Sequence, residues 1–139
     1  MTEQVKRIAR RFREEVVTNG DIALIDELLA PNFHYYGPPS LGPGPLDREG
    51  LKHLLAAYKH AFPDLHETIG DQLVDGDRVV QMTTSRGTFT GEMMGMSPTG
   101  KAYEISGIDV FRVVEGQIVE LRVMFDSLGM VRQTGMTIG

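Results

Sequence analysis

Asp109, Arg122 and Asp126 are the residues whose types and spacing carry the strongest chemical signal in this sequence. They lie in two strand-like runs, Lys101–Val114 and Gln117–Ser127. The short turn signal between the runs predicts a two-residue hairpin, in which Asp109 faces Arg122 directly. Because strand side chains alternate between faces, Asp126 would share that face. Two carboxylates beside a guanidinium could take a proton and hold a substrate oxygen, so the spacing predicts an acid–base site.

The same hairpin is apolar on both faces. The face with the charged trio also carries Tyr103, Ile105, Phe111, Val113, Ile118 and Met124, and the other carries Ile108, Val110, Leu121, Val123 and Phe125. Such a pattern predicts burial on both sides, where charges are costly unless they are paired. Helices can cover only one side, so we expect a homodimer joined through the outer face of the sheet.

Composition narrows the class of protein. The 139 residues fit one domain over residues 1–139, and the net charge of −5 argues against nucleic-acid binding. Cysteine is absent, which excludes disulfides and thiolate chemistry. No apolar run is long enough for a membrane span, and no signal peptide is evident, so we expect a cytoplasmic protein without membrane contact. The four histidines form no ligand-type pair, and we expect no metal site.

Helical spacing in the first half and alternation in the second predict an α+β fold. The expected helices cover roughly Thr2–Thr18, a short segment capped by Asp21 and a segment capped by Asp47, with a Pro-rich loop between the last two at Phe33–Leu46. Four antiparallel strands should follow, the first two at His66–Val74 and Arg78–Thr90. A methionine-rich loop, Gly91–Gly100, separates these from the hairpin. The basic cluster in the first helix, which includes Arg13, is interpreted as a solvated face.

Short motifs along nearly the whole chain resemble the SnoaL-like polyketide cyclases, also called ester cyclases. They are Ala30-Pro31-Asn32-Phe33, Pro38-Pro39, Arg48-Glu49-Gly50-Leu51-Lys52, Ala61-Phe62-Pro63-Asp64-Leu65, Arg86-Gly87-Thr88, Thr90-Gly91-Glu92, Pro98-Thr99-Gly100-Lys101, Gly107-Ile108-Asp109-Val110-Phe111-Arg112, Gly116-Gln117-Ile118-Val119-Glu120 and Phe125-Asp126. The resemblance implies a cone-shaped, curved antiparallel sheet packed on N-terminal helices, as in nuclear transport factor two. It also implies chemistry without a cofactor, acting on a small hydrophobic carbonyl compound.

In that family an aspartate near the end of the last strand removes a proton next to a carbonyl, and the carbanion closes a ring by intramolecular aldol addition. The matching residue is Asp126, and Arg122 stands where relatives often have tryptophan. Asp109 would orient Arg122. The expected pocket residues are Phe12, His34, Tyr36, Phe89, Met93, Met94, Phe111 and Met124.

Several alternatives remain open at this point. Asp126 could cap the turn that begins at Ser127, and Arg122 could be a purely structural partner of Asp109. Tyr36 could pack the loop instead of donating to substrate. An Asp–Arg–Asp trio also resembles the site of limonene-epoxide-hydrolase-like proteins, so epoxide hydrolysis is a second candidate. A non-catalytic small-molecule-binding module of the same fold is the third, because this fold hosts many activities.

Overall fold

The chain folds into a curved five-stranded sheet with helices packed against its inner face. The computed structural model describes residues 2–38 and 44–136. The elements are α1 (Thr2–Arg11), a π-helical continuation (Phe12–Thr18), a 3-10 turn (Ile22–Leu24), α2 (Ile25–Leu28), β1 (Leu29–Tyr36), α3 (Arg48–Ala61), β2 (His66–Asp75), β3 (Arg78–Thr88), β4 (Ala102–Val114), β5 (Gln117–Phe125) and α4 (Ser127–Thr134). The α+β class is therefore confirmed.

The sheet is mixed and does not close into a barrel. Its strand order is β1-β5-β4-β3-β2, with β1 parallel to β5 and every other pair antiparallel. The prediction of four antiparallel strands omitted β1, because Pro31 and the Pro-rich stretch after it suggested a loop. Pro31 is tolerated because β1 lies at the edge of the sheet, where a missing N–H breaks no ladder. The part of that loop at residues 39–43 lies outside the described residues.

The helices are close to prediction. Successive turns of α1 and its π-helical continuation bury one apolar face, made of Val5, Ile8, Ala9, Phe12 and Val16. Asp47 caps α3 as expected, accepting a hydrogen bond from Gly50 N at 2.8 Å. Asp21 makes no side-chain capping bond, so that prediction was wrong. The short helix α4 was not predicted.

The β4–β5 hairpin contains a bulge that the sequence analysis missed. Val114 pairs with Gln117 as expected, but Arg112 pairs with Glu120 while Val113 pairs with Ile118. Val119 is therefore an extra residue on β5, and the register beyond it moves by one.

The predicted pairing of Asp109 with Arg122 is consequently wrong. Asp109 pairs with Val123, and Arg122 pairs with Val110. Because a slip of one residue turns every side chain to the other face, Arg122 points to the outside of the sheet while Asp109 points inwards. The trio of Asp109, Arg122 and Asp126 is therefore not assembled. Leu121 and Val123, which were expected on the outer face, are buried in the core.

The outer face of the sheet still carries an exposed apolar row. Met82 pairs with Ile108 and Ile108 pairs with Met124, and their side chains are 43%, 41% and 59% exposed. The homodimer expected through this face stays a prediction.

That dimer can be tested by sedimentation velocity. If the outer row is the contact, the wild type sediments as a dimer and Met124→Lys as a monomer, because a buried unpaired charge opposes association. Leu128→Lys is the control, since Leu128 is also an exposed apolar residue (58%) but lies on α4. A wild-type protein that is monomeric at all concentrations contradicts the dimer.

Candidate active site

A cavity of about 70 Å³ lies between the inner face of the sheet and the helices. Its walls are mostly apolar side chains from α3, the sheet and α4, together with Phe12. The polar side chains that reach it are Arg13, Tyr35, Tyr58, Glu67, Thr83, Ser85, Tyr103 and Ser106. Leu54, Tyr58 and Phe125 are half-buried, so the cavity reaches the surface beside α3 and the end of β5.

Arg13 is the cation of this site. It lies in the π-helical continuation of α1, and π-helical turns are frequent at functional sites because they redirect a side chain. Its guanidinium makes a bidentate pair with Asp109 of β4, with Nε 2.8 Å from Oδ2. Burial lowers the pKa of Arg13, but the charges of Asp109 and Glu67 outweigh this and raise that pKa above its ordinary value. The guanidinium is therefore permanently charged.

Glu67 of β2 is the carboxylate that faces the cavity. Arg13 Nη1 donates to its Oε1 at 3.0 Å, and the two side chains are only 9% and 10% exposed. Glu67 sits directly opposite Ser85 of β3 in the pairing of the two strands. Burial raises the pKa of Glu67 above its usual value, although Arg13 partly opposes that rise. A carboxylate with a raised pKa is a stronger base.

Three tyrosines line the same cavity as Glu67. Tyr103 is hydrogen-bonded to Ser85 at 2.9 Å, whereas Tyr35 and Tyr58 make no side-chain hydrogen bond within residues 2–38 and 44–136. Burial raises the pKa of Tyr103 to about 12 and lifts the pKa of both Tyr35 and Tyr58 as well. All three phenols therefore keep their protons at neutral pH. Tyr35 and Tyr58 can each donate one to a ligand oxygen.

On the side away from the cavity, Asp109 is hydrogen-bonded to a neutral side chain, which a second neutral side chain supports. Gln81 Nε2 donates to Asp109 Oδ2 at 3.1 Å and to the carbonyl oxygen of Ala9 at 3.3 Å. Gln72 in turn donates to Gln81 Oε1 at 2.9 Å. Because Asp109 is 0% exposed and these partners occupy its oxygens, it stabilises Arg13 without reaching the cavity.

Asp126 lies at the end of β5 and caps α4. Its Oδ1 accepts a hydrogen bond from Gly129 N at 2.8 Å, and its side chain is exposed. The cavity lining does not include it. The capping alternative therefore describes its position, and a catalytic role for Asp126 stays a prediction.

Arg122 lies on the outer surface, where it stacks on Tyr36. Its guanidinium carbon is 4.1 Å from the centre of the Tyr36 ring, and Nη2 donates to Glu120 at 3.1 Å. The neighbouring His34 is exposed. Neither Arg122, Tyr36 nor His34 lines the cavity; Tyr35, the residue between the last two, does.

The other expected pocket residues divide into three groups. Phe12 lines the cavity as predicted. Phe89, Met93 and Phe111 are buried in the core beside it, and Phe111 packs edge-on against Phe12 with ring centres 5.8 Å apart. Met94 and Met124 are 75% and 59% exposed, because one lies at a loop tip and the other beyond the bulge.

Arg13 and Glu67 were missed as site residues, although each has a sequence signal. Arg13 falls at four-residue spacing between Ala9 and Val17, both buried, so it belongs to the apolar stripe and not to the solvated face. Glu67 alternates with Leu65 and Ile69, which places it on their inward face.

Other kinds of site are not indicated in the described part of the chain. Residues 2–38 and 44–136 contain no group of three metal-ligating side chains. Over the same ranges, every helix is too short or too polar to span a bilayer.

The fold and cavity together define a small α+β domain that encloses an apolar cavity, lined among others by the Glu67 carboxylate and three tyrosines. A sequence profile of the SnoaL-like polyketide cyclases matches residues 7–134. The chain belongs to this family, which supports a cyclase-like role.

Solved structures agree with this assignment. Wild-type IdmH from Streptomyces antibioticus is 31% identical, with 96% of this chain and 99% of IdmH covered and a TM-score of 0.83. A protein from Acidithiobacillus ferrooxidans is 29% identical over 95% of this chain and 94% of its own, with a TM-score of 0.81. Both are provisionally described as polyketide cyclases. A SnoaL-like protein from Jannaschia sp. CCS1, 21% identical, shares the fold with a TM-score of 0.85 over 97% of this chain and 94% of its own. No protein of curated function matches the chain.

The different positions of Asp109 and Arg122 predict different losses of stability. Asp109→Asn should lower the free energy of unfolding by about 3 kcal/mol, because it leaves the buried Arg13 without its charge partner. Arg122→Gln should lower it by less than about 1 kcal/mol, because that ion pair is exposed to solvent. Urea denaturation of both variants measures the difference. A large loss from Arg122→Gln alone would contradict the described register.

Proposed function

We propose that this protein is a cofactor-independent enzyme that removes a proton next to a carbonyl group of a small hydrophobic compound and closes a ring by intramolecular aldol addition. Glu67 is the base in this proposal. The observation that carries it is the buried Glu67 carboxylate, whose pKa is raised and which faces an apolar cavity also lined by three phenols. Membership of the cyclase family supports the reaction class.

The surrounding groups suit the charge that develops in such a reaction. Glu67 takes the proton from carbon, and the electron pair of the C–H bond becomes the enolate. Tyr35 and Tyr58 are free to donate to the enolate oxygen, and such donors, held in place in a mostly apolar cavity, stabilise its charge. The enolate carbon then attacks a second carbonyl of the same substrate. The alkoxide so formed receives the proton from Glu67, which restores the carboxylate and leaves an isomer of the substrate.

The cavity must widen to accept such a substrate. Its volume of about 70 Å³ lies below the roughly 300 Å³ at which typical ligand pockets begin. The half-buried Leu54, Tyr58 and Phe125 line its open side. We expect these side chains to move outwards on binding, since they are already partly exposed to solvent.

Epoxide hydrolysis remains a weaker candidate. Asp109, Arg13 and Glu67 do form a carboxylate–guanidinium–carboxylate set, in which Arg13 and Glu67 take the places expected for Arg122 and Asp126. That reaction needs one carboxylate for water and another to protonate the epoxide. Asp109 is sealed behind Arg13 and Gln81, so only Glu67 is available. A single accessible carboxylate favours proton abstraction. A non-catalytic binding module would use the same cavity. Turnover measured together with binding distinguishes such a module from an enzyme.

Glu67→Gln should abolish turnover and leave ligand binding intact, because the amide keeps the shape of the side chain but cannot accept the proton. Turnover is measured on aromatic diketones that can close by internal aldol addition. Binding is measured by tyrosine fluorescence, which suits a chain with no tryptophan and four tyrosines, three of them in the cavity.

Asp126→Asn is the matched control, since asparagine caps helices as well as aspartate does. It should keep wild-type turnover. Loss of turnover in Asp126→Asn with full activity in Glu67→Gln would transfer the role of base to Asp126. Binding without turnover of any carbonyl compound or epoxide would favour the binding module.

The pH dependence should follow the raised pKa of Glu67. The base must be ionised, so kcat/KM should rise with pH and reach half its maximum above the ordinary glutamate value of about 4.3. Because the folded protein holds this proton more tightly than the unfolded chain, Glu67 adds stability at low pH that disappears as pH rises through its folded pKa. Thermal denaturation measured across this pH range should show the fall in stability for the wild type but not for Glu67→Gln. If the stability of the variant depends on pH as that of the wild type does, the raised pKa does not belong to Glu67.

A further inference from the structure

Arg13 distributes its charge unequally between two carboxylates. Nε and Nη2 both bind Asp109, whereas only Nη1 binds Glu67. A bidentate pair holds a guanidinium more firmly than a single hydrogen bond does. The guanidinium therefore interacts more strongly with Asp109 than with Glu67.

Asp109 is held in this arrangement from the side away from the cavity. Its contacts there come from Gln81, which is itself fixed by Gln72 and by the carbonyl of Ala9. All of these partners are neutral. Asp109 thus introduces one buried negative charge whose only cationic partner among the described residues is Arg13.

We propose that Asp109 is a positioning residue for the proton abstraction described above, which neutralises Arg13 so that Glu67 remains a base strong enough to act on a carbon acid. This role rests on the proposed function of Glu67. Asp109 does not touch substrate, because it is fully buried behind Arg13. It acts only through the guanidinium.

Electrostatics gives the direction of the effect. An unopposed guanidinium at hydrogen-bonding distance favours the ionised form of a carboxylate and weakens it as a base. The negative charge of Asp109 opposes this influence on Glu67, whose pKa it raises. The other groups that face Glu67 are the phenols of Tyr35, Tyr58 and Tyr103 and the hydroxyl of Ser85, all uncharged at neutral pH. Beyond the effect of burial, which is the largest, the charges that act on the pKa of Glu67 are therefore those of Arg13 and Asp109.

The test is the titration of Glu67, followed by carbon-13 NMR of the glutamate carboxyl groups and assigned with Glu67→Gln. Asp109→Asn should lower the titration midpoint of Glu67 by about one pH unit or more, because the charge of Arg13 is then unopposed. The same variant should lose about tenfold in kcat/KM at pH values where Glu67 is ionised in both proteins. Gln81→Met is the control, since it removes a neutral support and keeps both charges; its midpoint should stay at the wild-type value.

A double variant, Arg13→Gln with Asp109→Asn, should move the midpoint in the opposite direction. With both charges removed, burial alone acts on Glu67, and the midpoint should rise above that of the wild type. If the titration midpoint of Glu67 moves in opposite directions in the single and the double variant, the effect is electrostatic. A purely structural role of Asp109 does not produce opposite shifts. An unchanged midpoint in a folded Asp109→Asn protein overturns the proposal.

Should Asp109→Asn not fold, the double variant alone is compared with the wild type. Its Glu67 midpoint must rise, because the two charges that the proposal makes responsible for the wild-type value are both gone and burial alone remains. A midpoint equal to that of the wild type overturns the proposal. Failure of the proposed function looks different: the titration shifts occur as stated, but no carbonyl compound is turned over by any form of the protein.

Discussion

The burial of the Arg13 guanidinium is the constraint on which the rest of the structure depends. A charge inside a core is tolerated only when its hydrogen-bonding groups are satisfied by partners in fixed positions. Asp109 supplies two of these contacts from β4, and Glu67 supplies one from β2. The first helical segment is thereby attached to two strands of the sheet, and the cavity forms beside that attachment. The pairing that holds helix to sheet is also the one to which we attribute the basicity of the carboxylate in the cavity.

Local patterns predicted most of the elements because their causes are local. Helical spacing located α1 and α3, the capping residue Asp47 marked the start of α3, and turn signals separated β2, β3, β4 and β5. The strand β1 was not predicted, because proline usually interrupts strands. Proline is accepted in a strand at the edge of a sheet, and only the complete sheet shows that β1 lies there. The family resemblance, carried by motifs in order along the chain, indicated the fold more securely than any single element did.

The site was harder to predict because one bulge residue changes which side chains of β5 face the inside of the sheet. Val119 forms a bulge in β5. Because side chains on a strand alternate between its two faces, one extra residue moves every later side chain of β5 to the opposite face of the sheet. Arg122 and Met124 were therefore assigned to the wrong face, while Asp109, which precedes the bulge on the other strand, was assigned correctly. Arg13 and Glu67 are 54 residues apart in sequence, and Arg13 and Asp109 are 96 apart. No local pattern links such partners, and only the folded chain brings them together.

These separations also have a meaning in folding time. Closing a longer loop costs more chain entropy, so contacts between distant segments tend to form late. The shorter separation joins Arg13 to Glu67 of β2, and the longer one joins Arg13 to Asp109 of β4. A chain in which β4 had not yet joined the sheet would hold the guanidinium and Glu67 as an ordinary ion pair. On the proposed mechanism, such a chain would carry the residues of the site without its chemistry.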